Sequence, residues 1–194
     1  MAFCQIISSA GTIWLRLVLG HVLLELLIDP ACSVVFEAEP QDPELMTRPP
    51  RPAADSPFSW RAASLGVSQG LGVGGILLVG QWYLSQQGWT ETQSRSVVFS
   101  ALVLSVMLLI LGNRHADQPL WRGLLRRDRL NPWLLRMAAG VAVLLVTVQG
   151  LPWLQRLMGL DWPGTLGAGA VVLLLLVCSL WIEAVRRGTA YAIK

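Results

Sequence analysis

Five stretches of this chain are apolar enough to cross a lipid bilayer, and they leave almost nothing else from which a fold could be built. They are Leu17–Phe36, Ala63–Leu84, Val97–Leu111, Trp133–Val148 and Gly164–Val185. A hydrocarbon core about 30 Å thick takes roughly 20 residues of α-helix; the third and fourth stretches are shorter, and residues 94–96 and 149–151 extend them through the interface. Within a bilayer the backbone must satisfy its own hydrogen bonds, so each stretch is expected to be helical. The expected fold is all-α, a polytopic transmembrane helix bundle of about five helices. Composition agrees: 54% of residues are hydrophobic and 14% charged, against about a quarter charged in ordinary globular domains.

The intervening segments are a Pro-rich loop from Glu37 to Trp60, an Arg-rich loop from Gly112 to Pro132, and short turns. None is long enough to bury a soluble core, which excludes a catalytic domain among them. No solenoid repeat or low-complexity tail is present. Residues 1–10 lack the basic n-region of a signal peptide and are read as retained. Cys4, Cys32 and Cys178 form no zinc spacing and imply no disulfide framework.

Basic residues orient such a chain, because short Arg- and Lys-rich loops stay on the cytoplasmic side. Arg48, Arg51, Arg61, Arg114, Arg122, Arg126, Arg127, Arg129, Arg136, Arg186, Arg187 and Lys194 fall on one side of a five-span chain, and Arg16, Arg95 and Arg156 on the other. The expected topology is multi-pass in the plasma membrane with the C-terminus, residues 188–194, in the cytoplasm. Eight tryptophans (Trp14, Trp60, Trp82, Trp89, Trp133, Trp153, Trp162, Trp181) lie near span ends, as an interfacial belt requires. The net charge of +3 then reflects topology, and no nucleic-acid partner is expected.

The first span carries the chemistry. In His21-Val-Leu-Leu-Glu25-Leu-Leu-Ile-Asp29-Pro30-Ala-Cys-Ser33, two carboxylates stand in an apolar helix, where each charge costs about 2.5 kcal/mol or more. Glu25 and Asp29 are four apart and share one face, with His21 a turn earlier. Pro30 lacks an amide donor and its ring crowds the carbonyl of Leu26, so the helix should kink or unwind there. Freed carbonyls beside two carboxylates make an oxygen-only donor set of the kind hard cations prefer, and broken helices build many ion sites. Glu25 and Asp29 are thus the candidate ligands of a transported cation, Pro30 is the helix break, and His21, Ser33 and Ser105 are minor polar contributors. Proton binding or counter-transport fits the same pair. The competing reading is an interhelical contact, with a protonated Glu25 or Asp29 bonded to Ser105 or a backbone carbonyl.

Glu25-Leu-Leu-Ile-Asp29-Pro30, Phe36-Glu-Ala-Glu-Pro40 and Met46-Thr-Arg48-Pro-Pro-Arg51-Pro together resemble the C-terminal membrane half of P-type cation-transporting ATPases of the calcium and sodium-potassium pump class, especially bacterial members. The first segment is similar to their sixth transmembrane helix, and the last to the M-x-R-P-P-R signature that follows it. Weaker agreement runs through Arg95-Ser-Val-Val-Phe-Ser100, Asn131-Pro-Trp-Leu-Leu135 and Val148-Gln-Gly-Leu-Pro-Trp153. The resemblance covers residues 17–187 and implies helices six to ten of such a pump, with residues 1–16 a remnant of a preceding helix. It implies that Asp29 helps coordinate the transported cation and that Glu25 replaces an amide ligand of calcium pumps. Ile28 and Val106 stand where some pumps carry a hydroxyl and a carboxylate, so calcium selectivity is not implied.

No D-K-T-G-T phosphorylation motif, T-G-E loop or nucleotide-binding domain occurs in these 194 residues. Phosphoryl transfer needs a nucleophile and magnesium ligands around the phosphate, so the chain alone is not expected to hydrolyse ATP and holds no cofactor of its own. The leading expectation is a transport-site half of a pump that works with a separate catalytic portion, as a split subunit or a truncated product. The alternative is a structural or regulatory remnant that binds other helices and transports nothing. A lone proton carrier is a third reading, disfavoured because a single charged helix supplies few gating groups.

Gly70-Leu-Gly72-Val-Gly74-Gly75 formally matches G-x-G-x-x-G, but a dinucleotide site needs a strand before it. Inside a span, Gly66, Gly70 and Gly74 instead predict close helix packing. Glu183 is expected to pair with Arg187 one turn on, and the Arg122–Arg129 run to set topology at anionic headgroups.

Overall fold

The computed structural model describes Val18, Val22, Glu25, residues 60–114 and residues 132–191. The described residues form five helices and no strand: α1 (Trp60–Gln86), α2 (Glu91–Arg114), α3 (Pro132–Gly150), α4 (Pro152–Met158) and α5 (Gly164–Tyr191). Val18, Val22 and Glu25 are also helical. Four of the five expected spans therefore have helices at their positions, longer than the apolar stretches by a turn or so because the interfacial residues continue them. The helix α4 was not anticipated.

Helices α1 and α2 form a hairpin whose ends are fixed by local chemistry. Gly88 adopts a left-handed conformation (φ 80°), and the amides of Trp89 and Gly88 return to the carbonyls of Leu84 and Ser85 at 3.3 Å each. This is the Schellman arrangement, in which glycine takes the left-handed position without a Cβ penalty. Trp89 packs on the cluster that contains Leu84, supplying the hydrophobic contact of such a cap. Two residues later Thr90 opens α2 with a capping box. Its hydroxyl accepts from the amide of Gln93 (3.2 Å), and its own amide donates to Gln93 Oε1 (3.3 Å).

Helices α1, α2 and α5 pack together around Val73, Leu77 and Leu84 of α1, Val97 and Ala101 of α2, and Val171, Cys178 and Ile182 of α5. The residues recur at four- and seven-residue spacing, so each helix commits one stripe to the core. Half of the α2 span is buried, against 17% for α1 and 22% for α5. The difference arises because α2 also packs on α3 through Val103, Met107 and Val141. The outer faces of α1 and α5 keep Leu71, Leu78, Leu173 and Leu180 exposed. In a bilayer these side chains are solvated by lipid, so helix association rests on close packing and hydrogen bonds rather than on expulsion of water.

The close approach of α1 to α5 runs through Gly72 and Gly80. A Cβ on Gly72 would stand 1.8 Å from Nε1 of Trp181, and one on Gly80 would stand 2.7 Å from Leu174 Cδ2. The Trp181 indole also donates to the carbonyl of Ser68 (3.2 Å). Among the described residues, nothing lies within 4 Å of where a side chain would begin on Gly66, Gly70 or Gly74, the glycines expected to make the close packing. Their spacing was right for small-residue packing, but the face that meets α5 is offset from theirs around the helix. The whole glycine-rich run is helical, which removes the strand a dinucleotide site would need.

Candidate functional site

Of the residues proposed for a cation site, the structure describes Glu25 and Ser105; His21, Asp29, Pro30 and Ser33 lie outside the described residues. Glu25 is helical and exposed, on one side with Val18 and Val22, at i, i+4 and i+7. The two valines are 54% and 52% exposed. Glu25 therefore stands on a face that the described helices do not cover. An ionised carboxylate on lipid would carry the full cost of intramembrane charge, so this face calls for a polar environment.

Ser105 is in a different setting. It is fully buried on α2, where its side chain adjoins Cys178 of α5, and its hydroxyl has no hydrogen-bond partner among the described residues. A contact from Ser105 to a carboxylate, the competing structural reading, is thus not made among those residues. No group of three or more His, Cys, Asp or Glu residues that could hold a metal occurs among them either.

The bundle does contain a polar seam that the sequence reading passed over. Ser96 and Ser100 of α2 are four apart and face α3. The Ser100 hydroxyl donates to the Ser96 carbonyl (2.8 Å). Gln149, in the last turn of α3, uses its side-chain amide to reach both the Ser96 carbonyl (3.2 Å) and Ser100 Oγ (2.8 Å). The backbone amide of Asp161, in the loop before α5, donates to Ser96 Oγ (2.8 Å), and the Gln155 side chain donates to the Gln149 carbonyl. Two segments distant in sequence are thereby tied to the first three turns of α2, and α4 is tied to one of them. The signal was present in the Ser-x-x-x-Ser pair, but nothing in the sequence indicated that Gln149 and Asp161 would meet it.

At the other end, Glu183 and Arg187 form the expected pair (2.9 Å). The antiparallel arrangement gathers Arg61, Arg114, Arg136, Arg186 and Arg187 toward the end where α2 and α5 finish, whereas Arg95 and Arg156 belong to the end where they begin. Exposed Trp60 and Trp181 lie toward the first end, and Trp82 and Trp153 toward the second, so two aromatic girdles flank the apolar middle.

Compared with curated proteins, the sequence finds no match. Residues 20–188 match the family described as cation transporting ATPase, C-terminus. That match spans most of the chain and runs from the acidic first span to the last turns of α5. The chain accordingly belongs to the C-terminal membrane region of the cation-transporting P-type ATPases.

Proposed function

We propose that this chain supplies the carboxylate half of a transmembrane cation site, with Glu25 and Asp29 as oxygen ligands and Pro30 opening the helix beside them. The observation that carries the reading is the exposed position of Glu25 on a helical face shared with two valines. A carboxylate in a span that must be apolar is costly to keep ionised, and a cation bound beside it offsets that cost. His21 and Ser33 are minor contributors in this reading. Ser105, enclosed between α2 and α5, is better assigned to packing.

The ion would be moved by phosphoryl chemistry that these 194 residues do not carry. The chain would therefore act together with the phosphorylation, nucleotide-binding and actuator domains, on one polypeptide or across a partner. Residues 17–187 form the membrane unit. The bias of arginine toward the end where α2 and α5 finish supports a cytoplasmic C-terminus, and by extension residence in the plasma membrane.

Binding of cations to the chain in lipid nanodiscs tests the proposal. A panel of sodium, potassium, magnesium, calcium and manganese, read by calorimetry, should give saturable binding by at least one ion, lost in Glu25→Gln and Asp29→Asn. Binding that survives both substitutions unchanged would overturn the assignment and leave a structural role for the pair.

A further inference from the structure

Between α3 and α5 the chain makes an 88° bend at Leu151 and forms the seven-residue helix α4. Such a bend admits three geometries: a broken span, a loop that re-enters the bilayer, or a helix lying along its surface. We infer that α4 is a surface helix, resting in the phospholipid headgroup layer with Trp153, Arg156 and Leu157 turned toward lipid.

Length decides against a broken span. Helix α3 has 19 residues and so reaches about 28 Å, close to the thickness of the hydrocarbon core. A segment at right angles to it adds no depth. The tethers of α4 decide against re-entry. Before it, Gln149 is held level with Ser96 and Ser100. After it, the Asp161 amide binds Ser96 Oγ and the carbonyl of Thr92. Both ends of α4 are therefore fixed at the first turns of α2, where the span begins.

The backbone also closes on itself, as an interfacial segment requires. Pro152 occupies the first helical turn, where its missing amide costs nothing. Gly159 takes a left-handed conformation (φ 65°), and Leu160 N returns to the Gln155 carbonyl at 2.8 Å. One face of α4 is spent on the protein, with Met158 and Leu160 buried against Val148. On the opposite arc, Trp153 is 61% and Leu157 37% exposed, one turn apart, and Arg156 is exposed between them. In water this arc would waste its apolar area. At the headgroup layer the indole and leucine meet the upper acyl chains, and the guanidinium meets phosphate.

Nitroxide labels report the depth directly. In the full chain with its three cysteines replaced by alanine and reconstituted in phosphatidylcholine–phosphatidylglycerol vesicles, labels are placed at Leu157→Cys, at Arg156→Cys, and at Val146→Cys on the exposed side of α3 as a ruler. Relaxation by oxygen and by a water-soluble nickel chelate should place the Leu157 label within about 5–10 Å of the headgroup boundary. It should also be shallower than the Val146 label by roughly 6 Å, the rise of the four residues left to the end of α3. The Arg156 label should be shallower still. A Leu157 label deeper than Val146 would establish re-entry and overturn the inference. Nickel accessibility equal to that in bulk water at both α4 positions would overturn it equally.

Discussion

The first span carries carboxylates inside an apolar stretch, and α2 carries serines in the first turns of its span, and the two sets stand in different settings. On α2, Ser96 and Ser100 are buried and answered by Gln149 and by the backbone of Asp161, all within hydrogen-bond distance. On the first span, Glu25 stands on an exposed face beside Val18 and Val22. A neutral hydroxyl or amide in a bilayer can be satisfied by one neighbouring helix and then acts as glue. A carboxylate costs more to keep charged there, which is why we propose a cation as its ligand. The seam on α2 is accordingly assigned to structure, and the acidic pair is the one proposed for function.

That contrast breaks most visibly at the carboxylates. Asp29→Asn or Glu25→Gln should lower cation uptake into vesicles containing the chain with its catalytic domains by at least about tenfold, the loss of roughly 1.4 kcal/mol or more of site energy. For Glu25→Gln, at an exposed position, stability of the bundle in detergent should hold within about 0.5 kcal/mol, as for a surface substitution. A stability loss with intact uptake would reverse the two assignments.

The next largest effect lies within α1, where the same distinction separates two sets of glycines. Gly72→Ala must displace the Trp181 ring and strain its bond to Ser68, an overpacking cost of about 1–3 kcal/mol. Gly70→Ala meets none of the described residues and should be neutral or stabilising by up to about 1 kcal/mol through helix propensity. Unfolding in mixed micelles compares the two, and equal effects would dissolve the distinction between a packed and an open face.

Gln149→Leu should destabilise the bundle by about 1–2 kcal/mol in the same assay, the range for interhelical hydrogen bonds in membranes. If the seam acts as a unit, Ser100→Ala should cost less in the Gln149→Leu background than alone. The smallest expected effect is that of Thr90→Ala, about 1 kcal/mol from losing the cap of α2. It should speed amide exchange in the first turn of α2 without altering transport.

The spans were legible because their signal is local. Apolar runs near 20 residues long place helices at Trp60–Gln86, Glu91–Arg114, Pro132–Gly150 and Gly164–Tyr191 whatever their neighbours. The Glu183–Arg187 pair could likewise be read from i, i+4 spacing. Helix α4 was missed although Leu151-Pro152 and Gly159 announce a helix start and stop. Its seven residues are too few for periodicity to speak, and they fall in what the hydropathy pattern leaves as a short turn between spans. At the candidate site, the Glu25–Asp29–Pro30 pattern could be read directly, but its surroundings could not, because they depend on helices far away in sequence.

Sequence alone determined the solvent of this protein, the approximate limits of the long helices now described, and its family, since each rests on residue type and local spacing. Tertiary structure decided which faces those helices share. It put Gly72 rather than Gly70 against Trp181, closed the Ser96–Ser100–Gln149 seam, and turned α4 at right angles to α3. The physical reason is that every span here is apolar nearly all round, as lipid permits. Hydropathy then marks where a helix runs but not which way it faces, and facing is settled only by packing and hydrogen bonds between segments distant in the chain.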